Sequence, residues 1–252
     1  MIKILLCGAN GKMGHVIASC AEQRENLEVV AGIDKNTEPY ASFPIYASLE
    51  EFEGKADVVV DFSHPALLDS LLDYAKRTQT PLVAATTGYS EEQTKQIRLA
   101  AEEVAVFFTF NMSIGVNLML DLAQKAAAVL GDSFDIEIVE KHHNQKIDAP
   151  SGTALMLANA INEAAGDRYF FEYDRHSKRQ KRGKNEIGIH AVRGGTIVGE
   201  HEVMFAGRDE ILTISHSARS KEIFANGALS AAGYLAGKKP GLYNMADLVN
   251  GK

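Results

Sequence analysis

Cysteines, positive charge and long apolar runs are all scarce in this sequence, and each shortage excludes a class of protein. Only two of the 252 residues are cysteines. Cys7 and Cys20 fall on a predicted strand and the helix after it, so we expect reduced core residues in the cytoplasm. The net charge of −7 argues against a general nucleic-acid binder, which is normally basic. No apolar run reaches the length of a membrane span, and the first strand leads straight into Gly8, so we expect neither a membrane protein nor a signal peptide.

What the sequence does contain, near its start, is a glycine-rich turn in the setting of a nucleotide-binding unit. Gly8, Gly11 and Gly14 follow an apolar strand-like run, and a helical run and a second strand-like run come next. Gly8 permits a tight turn, Gly11 lets a pyrophosphate approach the backbone, and Gly14 lets the helix pack on the strand. The spacing G-x-x-G-x-x-G differs from the commoner G-x-G-x-x-G, but the mechanism is the same. We therefore expect a dinucleotide on this turn.

The acidic residue that ends the second strand bears on which dinucleotide is bound. Asp34 lies 20 residues after Gly14, near the spacing of the residue that binds the adenosine ribose. Its carboxylate would accept hydrogen bonds from a free 2′-hydroxyl and repel a 2′-phosphate, whereas the neighbouring Lys35 would attract that phosphate. The sequence therefore permits NADH and also NADPH, and leaves the preference open.

Strands and helices alternate through the first half of the chain. The predicted strands cover residues 2–7, 27–33, 56–62, 81–85 and 104–108, and the predicted helices cover residues 15–23, 67–77 and 90–103. This alternation predicts an α/β fold with a Rossmann-like, doubly wound parallel sheet. Ligands of such sheets bind beyond the carboxyl ends of the strands, where Thr86, Thr87 and Asn111 lie. Ordinary turn chemistry is the alternative explanation for these three residues.

The second half of the chain follows a different pattern. A long helix is predicted over residues 115–130, and strands over residues 134–140, 187–193, 196–205 and 210–216. Gly194-Gly195 and residues 206–209 separate the last three strands and are typical of hairpin turns. These features predict a separate α+β domain with a mixed or mostly antiparallel sheet.

Two groups of charged or titratable residues in this half are interpreted as having no catalytic role. The basic segment 167–185 is typical of a solvated loop, with attraction of an acidic substrate or a lid as alternatives. We expect His190, His201 and His216, which are spread over the strands, to be solvent-facing or structural.

The richest stretch of the chain is the loop that joins strand 134–140 to a helix over residues 154–165. It contains six residues able to hold an anion or move a proton: His142, His143, Lys146, Ser151, Gly152 and Thr153. A helix N-terminus offers free N–H groups and partial positive charge, so the turn suits a carboxylate. A histidine beside it would exchange a proton near neutral pH. The alternative is a pair of surface histidines before a plain helix cap. No metal site is expected, because adjacent histidines on extended chain point opposite ways and no cysteine or acidic cluster completes a ligand set.

This loop resembles the signature of the 4-hydroxy-tetrahydrodipicolinate reductase family, long called dihydrodipicolinate reductase. The resemblance covers residues 140–154, and further family-like segments occur in family order at residues 8–14, 85–88, 111–117, 198–201, 224–228 and 239–243. It implies an NADH- or NADPH-dependent reductase of the diaminopimelate and lysine pathway that forms (S)-2,3,4,5-tetrahydrodipicolinate from a small cyclic dicarboxylate. It also implies a homotetramer assembled through the sheet of the second domain.

The same resemblance implies roles for individual residues. His142 would be a proton donor or acceptor and Lys146 a proton donor. His143, Gly152 and Thr153 would bind the dicarboxylate, on the turn that begins at Ser151. The dinucleotide would be bound by Gly8, Ala9, Asn10, Gly11, Lys12, Met13, Asp34, Ala85, Thr86, Thr87, Thr109, Phe110, Asn111 and Met112. The chain departs from common family choices at four of the positions in these segments: Ala85, Phe110, Met112 and Asn144.

These expectations define two domains and two rival functions. Residues 1–113, completed by 220–252, would form the dinucleotide-binding domain, and 114–219 the substrate-binding and oligomerisation domain, with a site between them that closes on binding. The rivals are an NAD(P)-dependent reductase or dehydrogenase of another small carboxylate and a non-catalytic dinucleotide sensor. A sensor would not need His142, Lys146 and the Ser-Gly-Thr turn together.

Overall fold

Buried strands alternate with helices through the first part of the computed structural model, which describes residues 1–251. The strands of the whole chain are β1 (Ile2–Cys7), β2 (Leu27–Ile33), β3 (Ile45–Tyr46), β4 (Val58–Asp61), β5 (Leu82–Ala84), β6 (Ala105–Phe108), β7 (Asp135–His142), β8 (Phe170–Glu172), β9 (Glu186–Arg193), β10 (Gly199–Ala206), β11 (Ile211–Ala218) and β12 (Gly241–Tyr243). The α-helices are α1 (Lys12–Glu22), α2 (Leu68–Thr78), α3 (Glu91–Ala100), α4 (Ile114–Leu130), α5 (Gly152–Ala164), α6 (Glu222–Leu235) and α7 (Met245–Val249).

The first compact unit comprises Met1–Ile114 and the segment from Lys221 onward. Its sheet has the strand order β12-β6-β5-β4-β1-β2-β3, and every neighbouring pair is parallel. Side chains of β1 alternate between two cores: Ile4 and Leu6 pack with α1 and α6, and Leu5 packs with α2 and α3. Burial on both faces explains the continuous apolar runs of the central strands. The predicted doubly wound parallel sheet is confirmed.

The edge strands of this sheet carry too little sequence signal to be predicted. β3 has two residues and β12 has three, so neither is long enough to display a period. Neither strand is therefore among those predicted from the sequence, and Gly241–Tyr243 pairs in parallel with β6. The pairing extends the parallel sheet by one strand and follows α6 in the chain.

The second compact unit comprises Gly115–Ser220 and is built on a mixed five-stranded sheet. Its order is β11-β10-β7-β9-β8, with β10 antiparallel to β7 and β11, and β9 parallel to β7 and β8. Alternate residues of the strands, including Ile138, Ile189 and Phe205, form a core with Met119 of α4 and Leu157 of α5. This arrangement confirms the predicted mixed sheet.

One predicted turn in this unit is wrong. Gly194 and Gly195 do not join a hairpin, because β7 lies between β9 and β10. The connection instead crosses the end of β7, where the Gly194 N–H donates to His142 O and the Asn144 N–H donates to Gly195 O. A glycine pair between two strands looks the same in the sequence whether it joins a hairpin or a crossover connection. Strand order is decided by long-range pairing, which a local turn signal does not report. The second predicted turn, at residues 206–209, does join the antiparallel pair β10 and β11.

The basic segment 167–185 is more ordered than a solvated loop. It contains β8, and Arg175 pairs with the buried carboxylate of Glu186 at 2.7 Å. Arg182 donates to Glu137 Oε1 at 2.9 Å and to the backbone carbonyl oxygens of Ile136 and Glu186, so it fastens the segment to β7 and β9. The arginines act here as anchors, a role that composition alone does not distinguish from solvation.

Helix α4 bears on the expectation that no apolar run is long enough to span a membrane. The 20 residues Ile114–Ser133 are long and apolar enough, by length and composition only, to cross a membrane. Met119, Ala123 and Ala127 of this helix are buried in the core of the second unit. A core helix passes the same test of length and composition. The contacts of these three residues account for part of the apolar sequence of α4, whereas Leu118, Leu122 and Val129 of the same helix are exposed.

Candidate functional site

The glycine turn of the first unit forms a cradle that larger residues would fill. Gly8 has a φ of +78°, and a Cβ there would lie 2.5 Å from Phe62 O. A Cβ at Gly14 would collide with the carbonyl oxygens of Gly8 and Ala9, whereas one at Gly11 would meet only Gly8 O, at 3.1 Å. Gly11 is also the N-cap of α1 and supplies no side-chain cap. The first N–H groups of α1 are therefore available to an anion, which fits the pyrophosphate of a dinucleotide.

Asp34 ties this turn to the end of β2. Its Oδ2 accepts the Asn10 N–H at 3.0 Å and its Oδ1 accepts the Asn36 N–H at 3.1 Å. The Asn10 amide donates to Asn36 O and Glu38 O. Lys12 and Lys35 are exposed. The structure thus brings Ala9, Asn10 and Asp34 together at the carboxyl ends of β1 and β2.

A cavity of about 770 Å³ opens beyond the carboxyl ends of β4, β5 and β6. It is lined by Met13, Phe62, Ser63, His64, Pro65, Ala85, Thr86, Thr87, Gly88, Thr109, Phe110, Asn111, Met112, Lys221 and Phe224. Eight of the proposed dinucleotide residues are in this lining. Phe110 is 76% exposed at the rim, and its ring packs edge-on against Phe108. Lys221 and Phe224 come from the start of α6 and were not anticipated, because the parallel sheet alone does not reveal where a C-terminal helix returns.

A buried carboxylate at the end of β4 forms hydrogen bonds with residues beside this cavity. Asp61 is fully buried and accepts hydrogen bonds from the Ser63 N–H at 3.1 Å and the Tyr89 hydroxyl at 3.0 Å. Burial raises the pKa of Asp61, and the hydrogen bonds from Ser63 offset only part of this effect. The Thr86 hydroxyl lies near Asp61 and Tyr89 but completes no hydrogen bond of normal geometry. A buried hydroxyl with unused capacity in a cavity wall fits a polar ligand there.

In the second unit, the loop 143–150 connects the end of β7 to the start of α5. Ser151 is the N-cap of α5, and its Oγ accepts the Ala154 N–H at 3.2 Å. Gly152 is exposed, and a Cβ there would meet no neighbour within 4 Å. The Ala149–Pro150 peptide bond is cis. The open backbone at Gly152 and the positive end of α5 make this turn suitable for a carboxylate.

A second buried carboxylate lies directly beneath this loop. Glu140 is fully buried, and its Oε2 is 2.6 Å from His142 Nδ1 while its Oε1 accepts the Ser151 N–H at 3.0 Å. Arg193 donates to both oxygens, at 2.8 and 2.7 Å. Burial by itself would raise the pKa of Glu140, but the hydrogen bonds from Arg193, His142 and Ser151 outweigh it and lower that pKa. Glu140 is therefore an ionised acceptor at neutral pH.

His201 is part of the same cluster, so of the two expected alternatives, solvent-facing or structural, the structural one holds for this residue. It is 5% exposed, its Nε2 is 3.0 Å from Ser151 Oγ, and its ring centroid is 5.2 Å from that of His142. Burial, and secondarily the nearby His142, lowers the pKa of His201 to about 4, so the ring is neutral at pH 7. In the sequence this residue is marked by the family-like segment 198–201 but not by any link to the loop, because it reaches the loop through the pairing of His201 with Glu140 across β10 and β7.

Lys146 is held differently from His142. Its Nζ lies 2.8 Å from Asp148 Oδ1, and Asp148 is largely exposed. The hydrogen bond from Lys146 lowers the pKa of Asp148. Arg193 also donates to Asp148 O at 2.6 Å, which links the loop to Glu140. His143 is half-buried on the same loop. Within residues 1–251, no cluster of three or more histidine, cysteine, aspartate or glutamate side chains forms a metal site.

Comparisons with known proteins cover both units. A family model described as "Dihydrodipicolinate reductase, N-terminus" matches residues 2–112, and one described as "Dihydrodipicolinate reductase, C-terminus" matches residues 115–249. A 4-hydroxy-tetrahydrodipicolinate reductase from Caldanaerobacter subterraneus subsp. tengcongensis is 54% identical over 99% of this chain and 98% of its own length. One from Clostridium novyi is 50% identical over the full length of both chains.

A solved structure agrees with these matches. The dipicolinate-bound dihydrodipicolinate reductase from Paenisporosarcina sp. TG-14 is 28% identical to this chain, covers 97% of each chain and superposes with a TM-score of 0.83. Two family models together span nearly the whole sequence, and the relatives from Caldanaerobacter subterraneus and Clostridium novyi share about half of its residues. The chain belongs to the dihydrodipicolinate reductase family.

Proposed function

We propose that the chain reduces 4-hydroxy-tetrahydrodipicolinate to (S)-2,3,4,5-tetrahydrodipicolinate with NADH or NADPH, in the diaminopimelate route to lysine. The dinucleotide would give the hydride, a side chain would give the proton, and the 4-hydroxyl group of the substrate would leave as water. The observation that carries this proposal is the loop between β7 and α5. It presents His142 and Lys146 beside the open N-terminal turn of a helix, above the buried carboxylate of Glu140. Relatives that are 46–54% identical to the chain are named for this reaction.

The first unit would hold the dinucleotide. Its pyrophosphate would rest on the turn at Gly8–Met13, its adenosine ribose on Asp34, and its nicotinamide end in the cavity lined by Thr86, Thr87 and Asn111. When bound, the reduced dinucleotide supplies the hydride. The chain's own part is orientation and exclusion of water, for which the buried Asp61 and the turn it supports provide a rigid wall.

The second unit would hold the dicarboxylate. The relative from Paenisporosarcina binds dipicolinate, a planar dicarboxylate. In this chain the N–H groups at Gly152 and Thr153, the Ser151 turn, His143 and the Lys146 ammonium would hold the carboxylates. The same positive groups would stabilise negative charge that develops in the ring as it is reduced.

The reduction also needs a proton, and two residues are positioned to provide it. Glu140 engages Nδ1 of His142, which leaves Nε2 as the nitrogen available for exchange. The Lys146 ammonium pairs with Asp148, whose side chain is 58% exposed. We propose that these two side chains supply or relay the proton, with Lys146 also binding a carboxylate.

We further propose that the protein is a cytoplasmic homotetramer assembled through the sheet of the second unit. The face of this sheet opposite α4 and α5 carries Val139, Lys141, Glu202 and Met204, which alternate with the core residues of β7 and β10. A second copy of the same face would cover it. The free, buried cysteines are compatible with a reducing compartment.

A titration with dipicolinate tests the substrate half of this proposal. We expect saturable binding that Lys146→Ala weakens roughly ten-fold or more, because a hydrogen bond to a charged group is lost. Dipicolinate should also inhibit turnover in competition with the substrate. Binding that is absent, or unaffected by Lys146→Ala, would remove the dicarboxylate from this loop and favour a different carboxylate substrate or a dinucleotide sensor.

A further inference from the structure

Glu140 contacts residues at both ends of the loop 143–150. One oxygen of its carboxylate faces His142 Nδ1, at 2.6 Å, and the other accepts the Ser151 N–H, at 3.0 Å. His142 is the last residue of β7 and Ser151 is the cap of α5. A single fully buried side chain therefore contacts both the proposed proton site and the proposed dicarboxylate turn.

The charge on Glu140 dictates the protonation pattern of its neighbour. An ionised carboxylate can only accept hydrogen bonds, so the contact with His142 requires the proton on Nδ1. Neutral His142 then has its lone pair on Nε2, and the protonated ring has an N–H there. The Nε2 side is kept clear by Gly199, where a Cβ would lie 3.1 Å from that nitrogen. The geometry thus assigns Nε2 as the exchanging nitrogen.

The same sheet contains a second buried carboxylate, Glu186, which pairs with an arginine and lies outside the proposed site. Glu186, at the opposite end of β9 from Arg193, is 3% exposed, pairs with both oxygens to Arg175 and accepts the Gly183 N–H at 3.0 Å. Within residues 1–251, no histidine side chain forms a hydrogen bond with Glu186. A buried glutamate held by one arginine therefore occurs twice in this sheet, although Arg175 uses one nitrogen for both oxygens of Glu186 and Arg193 uses two nitrogens for Glu140. The contact with His142 is the added feature of Glu140.

We propose that Glu140 is a positioning residue of the reductase: it fixes the His142 tautomer through one oxygen and the start of α5 through the other. Proton delivery and dicarboxylate binding then share one support, so both depend on the same buried charge. Arg193 completes the unit by balancing that charge and by holding the loop at Asp148 O. This inference rests on the function proposed above.

Glu140→Gln tests the proposal, with Glu186→Gln as the matched control. A glutamine amide donates to His142 Nδ1 as readily as it accepts, so we expect the proton to move to Nε2. The turnover number should fall roughly 10- to 100-fold, the range for losing a partner that orients a histidine. Dipicolinate should bind more weakly, and the KM for NADH should be unchanged. Glu186→Gln should lower the melting temperature comparably and leave turnover, dipicolinate binding and the tautomer as in the wild type.

The tautomer is measured by nitrogen NMR on protein labelled at histidine, which needs no turnover. Native kinetics and an Nδ1–H tautomer in folded Glu140→Gln would overturn the proposal, as would equal kinetic losses in both variants. If Glu140→Gln does not fold, Glu140→Asp is the alternative: it retains the negative charge but moves it about 1.5 Å away from His142 and Ser151. It should also lose turnover and dipicolinate binding while the KM for NADH is unchanged. If the wild type has no reductase activity but Glu140→Gln still changes the His142 tautomer, the proposed reductase function is refuted and the positioning of His142 by Glu140 stands.

Discussion

His142 and Lys146 are supported in opposite ways, and the contrast suggests what each can do. The partner of His142 is a fully buried carboxylate, whereas the partner of Lys146 is Asp148, whose side chain is 58% exposed. An exposed ion pair contributes only about 0–1 kcal/mol. A dicarboxylate can therefore replace Asp148 at the Lys146 ammonium with little loss, while the His142 ring stays in place.

Lys146→Ala should abolish most turnover while dinucleotide binding is retained, because the residues proposed to bind the dinucleotide belong to the first unit. Steady-state rates and a fluorescence titration with NADH measure the two properties separately. Lys125→Ala is a suitable control, since Lys125 pairs at 2.6 Å with Asp121 on the surface of α4. Parallel loss of turnover and dinucleotide binding in Lys146→Ala would indicate misfolding and contradict a local role.

His201 predicts a pH dependence of stability. Its pKa in the folded chain, about 4, lies below the ordinary value of 6.5, so the unfolded chain takes up the proton first as the pH falls. The free energy of unfolding should therefore decrease from pH 6.5 towards pH 4, by roughly 3 kcal/mol at most from this group. Urea denaturation at several pH values should show a flatter profile for His201→Gln. Equal slopes for the variant and the wild type would contradict the burial of a neutral ring.

At the scale of elements, the two glycines of the first turn should separate folding from binding. Gly14→Ala places a Cβ against two carbonyl oxygens, so it should destabilise the first unit by about 1–3 kcal/mol. Gly11→Ala meets one atom at 3.1 Å and should fold, but its methyl group occupies the approach of the pyrophosphate.

The KM for NADH and the melting temperature distinguish these outcomes. We expect Gly11→Ala to raise the KM about ten-fold or more, a loss of at least ~1.4 kcal/mol in binding, with little change in melting temperature. Gly14→Ala should lower the melting temperature. A Gly11→Ala protein with the KM of the wild type would mean that the dinucleotide does not lie on this turn.

The elements also show how far the sequence alone leads. The parallel sheet is predictable because apolar runs such as those of β4 and β6 recur between helices and end at polar turns. The helix cap at Ser151 is predictable because the cap signal is local. The partners of that cap are not, since Glu140 and His201 meet it through pairing between strands whose order the turns do not encode. The mistaken hairpin at Gly194-Gly195 has the same cause.

At the scale of the whole molecule, the proposed function assigns the dinucleotide to the first unit, and the dicarboxylate with its proton source to the second. Each unit contains a buried carboxylate that supports a turn of the proposed site: Asp61 in the first and Glu140 in the second. Asp61 is not marked by a local motif, whereas Glu140 is the first residue of the signature loop 140–154, and both end or nearly end a strand. The family assignment joins the two units into one reductase.

The central claim is tested most directly by turnover in a coupled assay. The purified chain is mixed with the synthase that condenses pyruvate and aspartate semialdehyde, and the absorbance of NADH or NADPH is followed. We predict consumption that depends on the synthase, and the ratio of the two rates reports the competition between Asp34 and Lys35. No consumption of either dinucleotide, by protein that still binds NADH, would contradict the proposed reductase.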